Sequence, residues 1–129
     1  MLPISLLEEH IVQADGTGPV IDASHETGRL LVLTLGITRI IEQESLEVSI
    51  WGSSDGANWG LLPLATFPQK SYCGLYSVLL NLVSRQEIQF LRAQWKVTRW
   101  SRPGTAPMMF SFYVTAEESG SRVHTMAVA

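Results

Sequence analysis

Apolar and polar residues alternate with a period of two in several stretches of the chain. One such stretch is "SLEVSIWG" (45–52), whose apolar face consists of Leu46, Val48 and Ile50. The pattern recurs in "QFLRAQWKVTRW" (89–100), with the face Leu91, Ala93, Trp95 and Val97, and in "MFSFYVTAE" (109–117), with Phe110, Phe112 and Val114. This period predicts β-strands that bury one face and expose the other.

Other stretches complete the prediction of an all-β chain. "RLLVLTLGITRII" (29–41) is almost continuously apolar, which predicts a strand covered on both faces. Turn sequences rich in Gly and Pro separate the strands, at 14–19, 52–60, 101–107 and 117–121. A helical stripe competes over 76–95, but the clean alternation after Ile88 favours a strand, with room for one helical turn at 83–87. We therefore expect a single domain over 1–129, an antiparallel β-sandwich of about eight strands in a jelly-roll-like order.

The middle of the chain resembles a known fold family. "LEVSIWGSSDGANWGLLPL" (46–64) looks like the part of discoidin-like, galactose-binding-type jelly rolls where a strand runs into a Ser-x-Asp-Gly-x-x-Trp turn. "IQFLRAQWKV" (88–97) is similar to the aromatic-hydrophobic-Arg strand of that family, and "FSFYVTAEE" (110–118) falls at its last core strand. The resemblance covers 45–116 and lacks the family's usual first and last cysteines. It implies a β-sandwich and a non-enzymatic role, and it implies no particular ligand.

The sequence "WGSSDGANWG" (51–60) combines a turn with two tryptophans. Asp55 and Gly56 predict a tight hairpin turn, because Gly accepts positive φ and Asp can hydrogen-bond neighbouring backbone. Trp59 is interpreted as the anchor that packs this turn on the edge of the sandwich, with a ligand contact as the alternative. Trp51 lies on the face opposite Ile50, where it is covered either by local chain or by a partner.

Aromatic and basic residues share the outward face of the 88–100 strand, namely Phe90, Arg92, Lys96 and Trp100. Such residues are enriched at protein interfaces and can also stack on sugar rings. We favour an interface with another copy of the chain. Cover by the chain itself and a small-ligand site are the alternatives.

The composition of the chain also favours an interface with another copy. The chain is 46% hydrophobic and only 16% charged, with a net charge of −3 and scattered basic residues. Nucleic-acid binding is therefore disfavoured. Because a small domain can hide little surface, we expect another copy to cover part of this apolar surface. The apolar segments 1–13 and 122–129 are candidate intersubunit arms.

Few residues of the sequence are candidates for catalysis or metal binding. The single cysteine, Cys73, is expected to be a small buried hydrophobe. Three histidines, His10, His25 and His124, lie far apart, and the acidic group of Glu42, Glu44 and Glu47 is interpreted as a solvated strand end, with a paired-carboxylate hydrolase as the alternative. No Gly-x-Ser-x-Gly nucleophile motif or calcium loop occurs, although discoidin-like folds sometimes hold a structural Ca²⁺. We expect no enzyme activity, no cofactor and no metal.

The N-terminus lacks the features of a signal peptide, and no stretch is long and apolar enough to span a membrane, so the chain is expected to be cytoplasmic as synthesised. The function that these patterns favour is a non-enzymatic structural protein that assembles into homo-oligomers through apolar, aromatic-rich sheet faces. The alternative is a small module that binds a carbohydrate or another surface ligand, and an enzyme ranks third.

Overall fold

The computed structural model describes residues 4–24, 28–40, 44–70, 72–99 and 109–118. Within these residues the chain forms nine β-strands and no α-helix, which confirms the all-β prediction. The strands are β1 (Ile4–Val12), β2 (Gly16–Thr17), β3 (Ile21–Asp22), β4 (Leu30–Ile40), β5 (Glu44–Ser53), β6 (Ala65–Lys70), β7 (Gly74–Asn81), β8 (Phe90–Arg99) and β9 (Phe110–Glu118).

The strands form two antiparallel sheets that follow the jelly-roll order. Sheet A has the order β1-β9-β4-β7, and sheet B has the order β2-β8-β5-β6, with β3 also paired to β8. Early and late strands pair in a nested way, β1 with β9, β2 and β3 with β8, β4 with β7, and β5 with β6. The chain is thus one long antiparallel ribbon folded over itself into two layers, which is the arrangement of a jelly roll. The predicted fold class is confirmed.

The core lies between the two sheets and is built from the predicted alternating faces. Leu46, Val48 and Ile50 of β5 are fully buried, as are Leu91 and Ala93 of β8. The inward residues of β9, Phe110, Phe112 and Val114, are also fully buried, and Trp95 is 7% exposed. Val97 is only partly buried, near the end of its strand. The period of two therefore identified the inward faces of three strands correctly.

Strand β4 differs from its prediction. Its inward residues Leu31, Leu33 and Leu35 are fully buried, but the outward residues Val32 and Thr34 are only half-buried. The strand occupies a central position in sheet A, with the core on one side only. The prediction of cover on both faces is wrong within the described part of the chain, because no second layer of described residues covers the outer face of sheet A.

Two polar predictions are also corrected. Cys73 is exposed rather than buried, because it lies in the short connection between β6 and β7 at the margin of the sandwich. Glu44 is fully buried rather than solvated, and its Oε1 accepts a hydrogen bond of 3.3 Å from the backbone N–H of Met109. Glu47 is exposed as expected, and Glu42 lies outside the described residues.

Two other segments singled out from the sequence, 4–12 and 83–87, lie within the described residues. Residues 4–12, expected as part of an intersubunit arm, form β1 in the chain's own sheet A and bury Leu6 and Leu7. The segment 122–129 lies outside the described residues. The predicted helical turn at 83–87 is replaced by two successive turns, closed by bonds from Arg85 N–H to Leu82 O and from Ile88 N–H to Arg85 O. Among the described residues, no helix has the length and apolarity to cross a membrane.

Candidate interaction surfaces

The segment after β5 is fixed by side chains that bond to its own backbone. The Ser53 hydroxyl accepts bonds from the N–H groups of Asp55 (3.2 Å) and Gly56 (2.9 Å) and donates one of 2.8 Å to Asp55 Oδ1. The same carboxylate oxygen accepts bonds from the N–H groups of Ala57 and Asn58, at 2.8 and 2.9 Å. Gly56 has a φ of +79°, the conformation that the turn prediction requires. The turn opens an eleven-residue loop, 54–64, and not the tight hairpin expected from the sequence.

These bonds change the acidity of Asp55. Two backbone N–H groups and the Ser53 hydroxyl donate to its carboxylate and lower its pKa from 3.8 to about 2. Hydrogen bonds to the charged form are the cause, because they stabilise the carboxylate relative to the protonated acid. Asp55 is therefore ionised at any physiological pH and acts as a structural acceptor.

The loop 54–64 folds back over part of the outer face of sheet B. The guanidinium carbon of Arg92 lies 4.5 Å from the centre of the Trp59 ring, a cation–π distance. A Cβ atom on Gly56 would lie 3.6 Å from the Phe90 ring, so the turn rests against that ring. Arg92 Nε is buried without a hydrogen-bond partner among the described residues. The chain's own loop 54–64 therefore covers Phe90 and Arg92 on the outward face of sheet B.

Trp51 and Lys96 lie on the same face, beside the end of loop 54–64. Trp51 is directly opposite Arg92 in the β5–β8 register and donates a hydrogen bond of 2.9 Å from its indole N–H to the Ser49 hydroxyl. Its ring lines a groove of about 220 Å³. The groove is also lined by Glu47, Ser49, Thr66, Gln94, Lys96, Leu61 and Pro63. The register brings four of the predicted residues to one sheet face, and the fifth, Trp100, lies outside the described residues.

A larger depression of about 630 Å³ lies between loop 54–64 and the β7–β8 turn. Its rim includes Leu61 and Leu62, which are 94% and 79% exposed. The ionisable pair on its wall is Arg85 with Glu87, joined by a hydrogen bond of 2.6 Å that lowers the pKa of the Glu87 carboxyl. A carboxyl with a lowered pKa stays ionised at neutral pH, which makes it a poor general acid. At this depression, therefore, Glu87 is an ion-pair partner of Arg85, and the two exposed leucines make part of the rim apolar.

Of the histidines singled out from the sequence, His10 lies within the described residues. His10 lies half-buried with its ring 5.5 Å from that of Trp95 and 5.7 Å from that of Phe112. Neither His25 nor His124 belongs to the described residues. Across the described ranges, no group of three or more His, Cys, Asp or Glu residues has an arrangement that could hold a metal ion.

Sequence reasoning missed the outer face of sheet A. Leu75 and Leu79 of β7 are 71% and 62% exposed on this face, and the half-buried Val32 of β4 lies directly opposite Leu79. The signal for this face was the stretch "GLYSVLLN" (74–81), which contains no charged residue. Its overlap with an apparent helical stripe concealed it.

No protein-family model and no curated protein sequence matches the chain. Solved structures do resemble it in fold. They include the structures of infectious bursal disease virus strain Gt (TM-score 0.57, 11% identity, 92% of this chain and 33% of that chain) and strain Gx (TM-score 0.56, 11% identity, 89% and 31%). The crystal structure of the VP2 subviral particle of the same virus gives a TM-score of 0.53 at 10% identity, with coverage of 89% and 31%.

The chain spans about a third of the length of these viral chains. At such identity the likeness shows the fold alone, a jelly-roll β-sandwich. The comparison therefore supports the β-sandwich fold that the resemblance in sequence implied. The closer likeness to discoidin-like domains stays a prediction.

Proposed function

We propose that the protein is a non-enzymatic structural protein that assembles into homo-oligomers through the outer faces of its sheets. The observation that carries this proposal is the exposed pair Leu75 and Leu79 on the outer face of sheet A. Two large apolar side chains exposed on the same face of an ordered strand are candidates for contact with another chain. A chain with only 16% charged residues has little charge elsewhere to offset that surface.

Sheet B contributes a second surface in this proposal. Trp51 and Lys96 are its accessible members, whereas Phe90 and Arg92 contribute mainly by supporting loop 54–64. Trp100, from the same predicted set, is assigned to this surface by alternation alone. The exposed Leu61 and Leu62 at the loop tip extend the surface beyond the sheet.

The fold comparison is compatible with this role. VP2 of infectious bursal disease virus, about a third of which resembles this chain in fold, has been crystallised as a subviral particle. The jelly roll supports many functions, so the comparison contributes the scaffold and the surface residues contribute the argument for assembly.

The mass of the purified particle tests the proposal. Light scattering coupled to size-exclusion chromatography, over a concentration series without added ligand, should give a multiple of the 14.3 kDa chain mass. A single chain mass at the highest concentration would remove the assembly function. Circular dichroism in the same buffer controls for folding.

The groove at Trp51 favours one second candidate, a carbohydrate-binding module. An indole ring beside amide, hydroxyl and carboxylate groups can stack on a sugar and hydrogen-bond its hydroxyls. In that case a glycan should raise the melting temperature of the wild type and leave that of Trp51→Ala unchanged. Lys70→Ala, at the end of β6 and outside the groove, is the control and should retain the shift.

A further inference from the structure

Strand β7 is the edge of sheet A, and it lacks the protection that the other described edges have. β1 carries Glu8 and Glu9 and two register shifts, and β6 carries Pro68, Lys70 and one register shift. The edge strands β2 and β3 have only two residues each. Charges, prolines, bulges and short length are the devices that prevent edge strands from pairing with other chains.

β7 has none of these devices in its eight residues. The strand contains no charged residue and no proline, and it pairs with β4 from Gly74 to Asn81 without a register shift. In the described part of the chain, no strand pairs with its other edge. A long, regular and uncharged edge is a template for a further strand.

The backbone groups that face outward can be identified from the ladder. The N–H of Leu82, just after β7, donates to the carbonyl of Arg29, just before β4, so these two residues occupy a hydrogen-bonded position in continuation of the ladder. Hydrogen bonding alternates from residue to residue along an antiparallel ladder. The backbone N–H and C=O groups of the even-numbered residues of β7 therefore point toward β4. The N–H and C=O groups of Leu75, Ser77, Leu79 and Asn81 therefore point to the free edge.

We infer that β7 pairs antiparallel with β7 of a second copy, about a two-fold axis at Ser77, joining two A sheets into one. This inference rests on the proposed homo-oligomeric function and names its interface. The axis at Ser77 places Leu75 of each copy opposite Leu79 of the other, on the outer face. The alternative axis at Val78 would pair these leucines with Ser77 and Asn81. Cross-strand apolar pairs stabilise a sheet, so the Ser77 axis is favoured.

Charge and symmetry favour a second copy over another partner. Both strands of the pair are uncharged, so two copies with a formal charge of −3 each can approach along this edge without local repulsion. A closed two-fold contact also removes both free edges at once. One strand pair buries a small area, so the contact belongs to the weak class and should depend on concentration.

Ser77→Pro is the variant that tests the edge. Proline removes an outward N–H that β4 does not use, so the fold should survive while the pairing is lost. The particle mass should fall, and Ser77→Ala, which keeps the N–H, should retain the wild-type mass. An unchanged mass in a folded Ser77→Pro protein overturns the β7 inference and leaves the assembly function standing. A monomeric wild type removes both.

Amide hydrogen exchange on the wild type provides a readout that needs no variant. In the assembled protein, the amides of Leu75, Ser77 and Leu79 should exchange slowly, and they should exchange fast after dilution to single chains. The amides of Tyr76, Val78 and Leu80 should stay protected in both states. Fast exchange at the odd-numbered positions in the assembled protein overturns the inference, even where Ser77→Pro fails to fold.

Disulfide formation tests the register. In a Cys73→Ser background, Ser77→Cys should cross-link two chains on mild oxidation, because opposed residues have Cα atoms about 5.5 Å apart. Leu75→Cys is the matched control and should not cross-link, because it lies opposite Leu79. Cross-linking by Leu75→Cys and not by Ser77→Cys overturns the Ser77 axis.

Discussion

Asp55 is the residue that organises loop 54–64. Its carboxylate accepts two backbone N–H bonds and one from Ser53, and the Ser53 hydroxyl accepts two more N–H groups of the turn. The buried position of Ser53 at the end of β5 ties this network to the sheet. The loop that covers Phe90 and Arg92 therefore begins from a fixed geometry.

The charge of Asp55 should be visible in the pH dependence of stability. Its pKa is about 2 in the folded chain and 3.8 in the reference state, so the stability it contributes is fully present above about pH 4 and lost as the pH falls toward 2. The free energy of unfolding of the wild type should exceed that of Asp55→Asn above pH 4, and the difference should shrink through this window. Urea unfolding at pH 2 to 5 measures it. A difference that is constant with pH would contradict the assignment.

Gly56 should resist substitution through its backbone conformation. Gly56→Val is expected to destabilise by roughly 1–2 kcal/mol, because a φ of +79° is costly for a residue with a branched Cβ. The nearest atom to the added Cβ is at 3.6 Å, so a steric clash is not the cause. Asn tolerates this conformation, and Gly56→Asn should therefore cost clearly less in the same urea experiment. Equal costs would indicate an effect of packing.

Trp95 should be among the residues most sensitive to truncation. Its ring meets Phe112 edge to face at 5.6 Å, and its indole N–H donates to the carbonyl of Ala14 at 3.0 Å. Trp95→Ala is expected to cost about 3–5 kcal/mol in denaturant unfolding. Trp95→Phe keeps most of the ring volume and should cost less. A loss below 1 kcal/mol for Trp95→Ala would show that the site is not part of the core.

At the scale of elements, strands β4 and β9 share an unusual pair on the outer face of sheet A. Gly36 lies directly opposite Tyr113, and a Cβ on Gly36 would come within 2.3–2.6 Å of three atoms of the Tyr113 ring end. The tyrosine thus lies over the backbone that the glycine leaves uncovered. An aromatic ring across a strand from glycine compensates for the missing side chain.

A double-mutant cycle tests this pair. Gly36→Ala should displace the Tyr113 ring, and Tyr113→Ala should leave room for the new methyl group, so the two changes should be non-additive by about 0.5–1 kcal/mol. Unfolding free energies of the two single variants and the double variant give the coupling. Thr34→Ala with Tyr113→Ala is a matched control on the same face. A coupling no larger than that of the control would mean that the ring has space to avoid the methyl group.

The faces of β5, β8 and β9 could be predicted because neighbouring residues in a strand must point to opposite sides. This also brought Trp51, Phe90, Arg92 and Lys96 onto one face. What covers a face depends on the course of other segments, and alternation carries no information about that. For this reason alternation could not predict three features of the structure: the stacking of Trp59 on Arg92, the burial of Glu44 and the exposure of Cys73.

At the scale of the whole molecule, the jelly roll leaves two outer faces with different chemistry. The face of sheet B carries Lys96 opposite Glu47, together with Trp51 and the loop that covers Arg92. The face of sheet A pairs apolar and hydroxyl residues across β4 and β7, Val32 with Leu79 and Thr34 with Ser77. An assembly through sheet A would be held by apolar contact and main-chain hydrogen bonds, whereas one through sheet B would include charges.

Salt distinguishes these two modes of assembly. At 1 M ionic strength the Debye length falls to about 3 Å, so contacts between exposed charges weaken, whereas apolar contacts persist. If sheet A provides the contact, the particle mass measured by light scattering should be unchanged between low salt and 1 M NaCl. Leu79→Glu should dissociate the particle at both salt concentrations, because it replaces the apolar partner of Leu75 in the other copy with a charged side chain. In that case Lys96→Glu, on sheet B, should leave the mass unchanged, whereas a fall in mass would show that the sheet B surface also takes part in the contact. Dissociation of the wild type by salt would instead place the contact at the charged residues of sheet B.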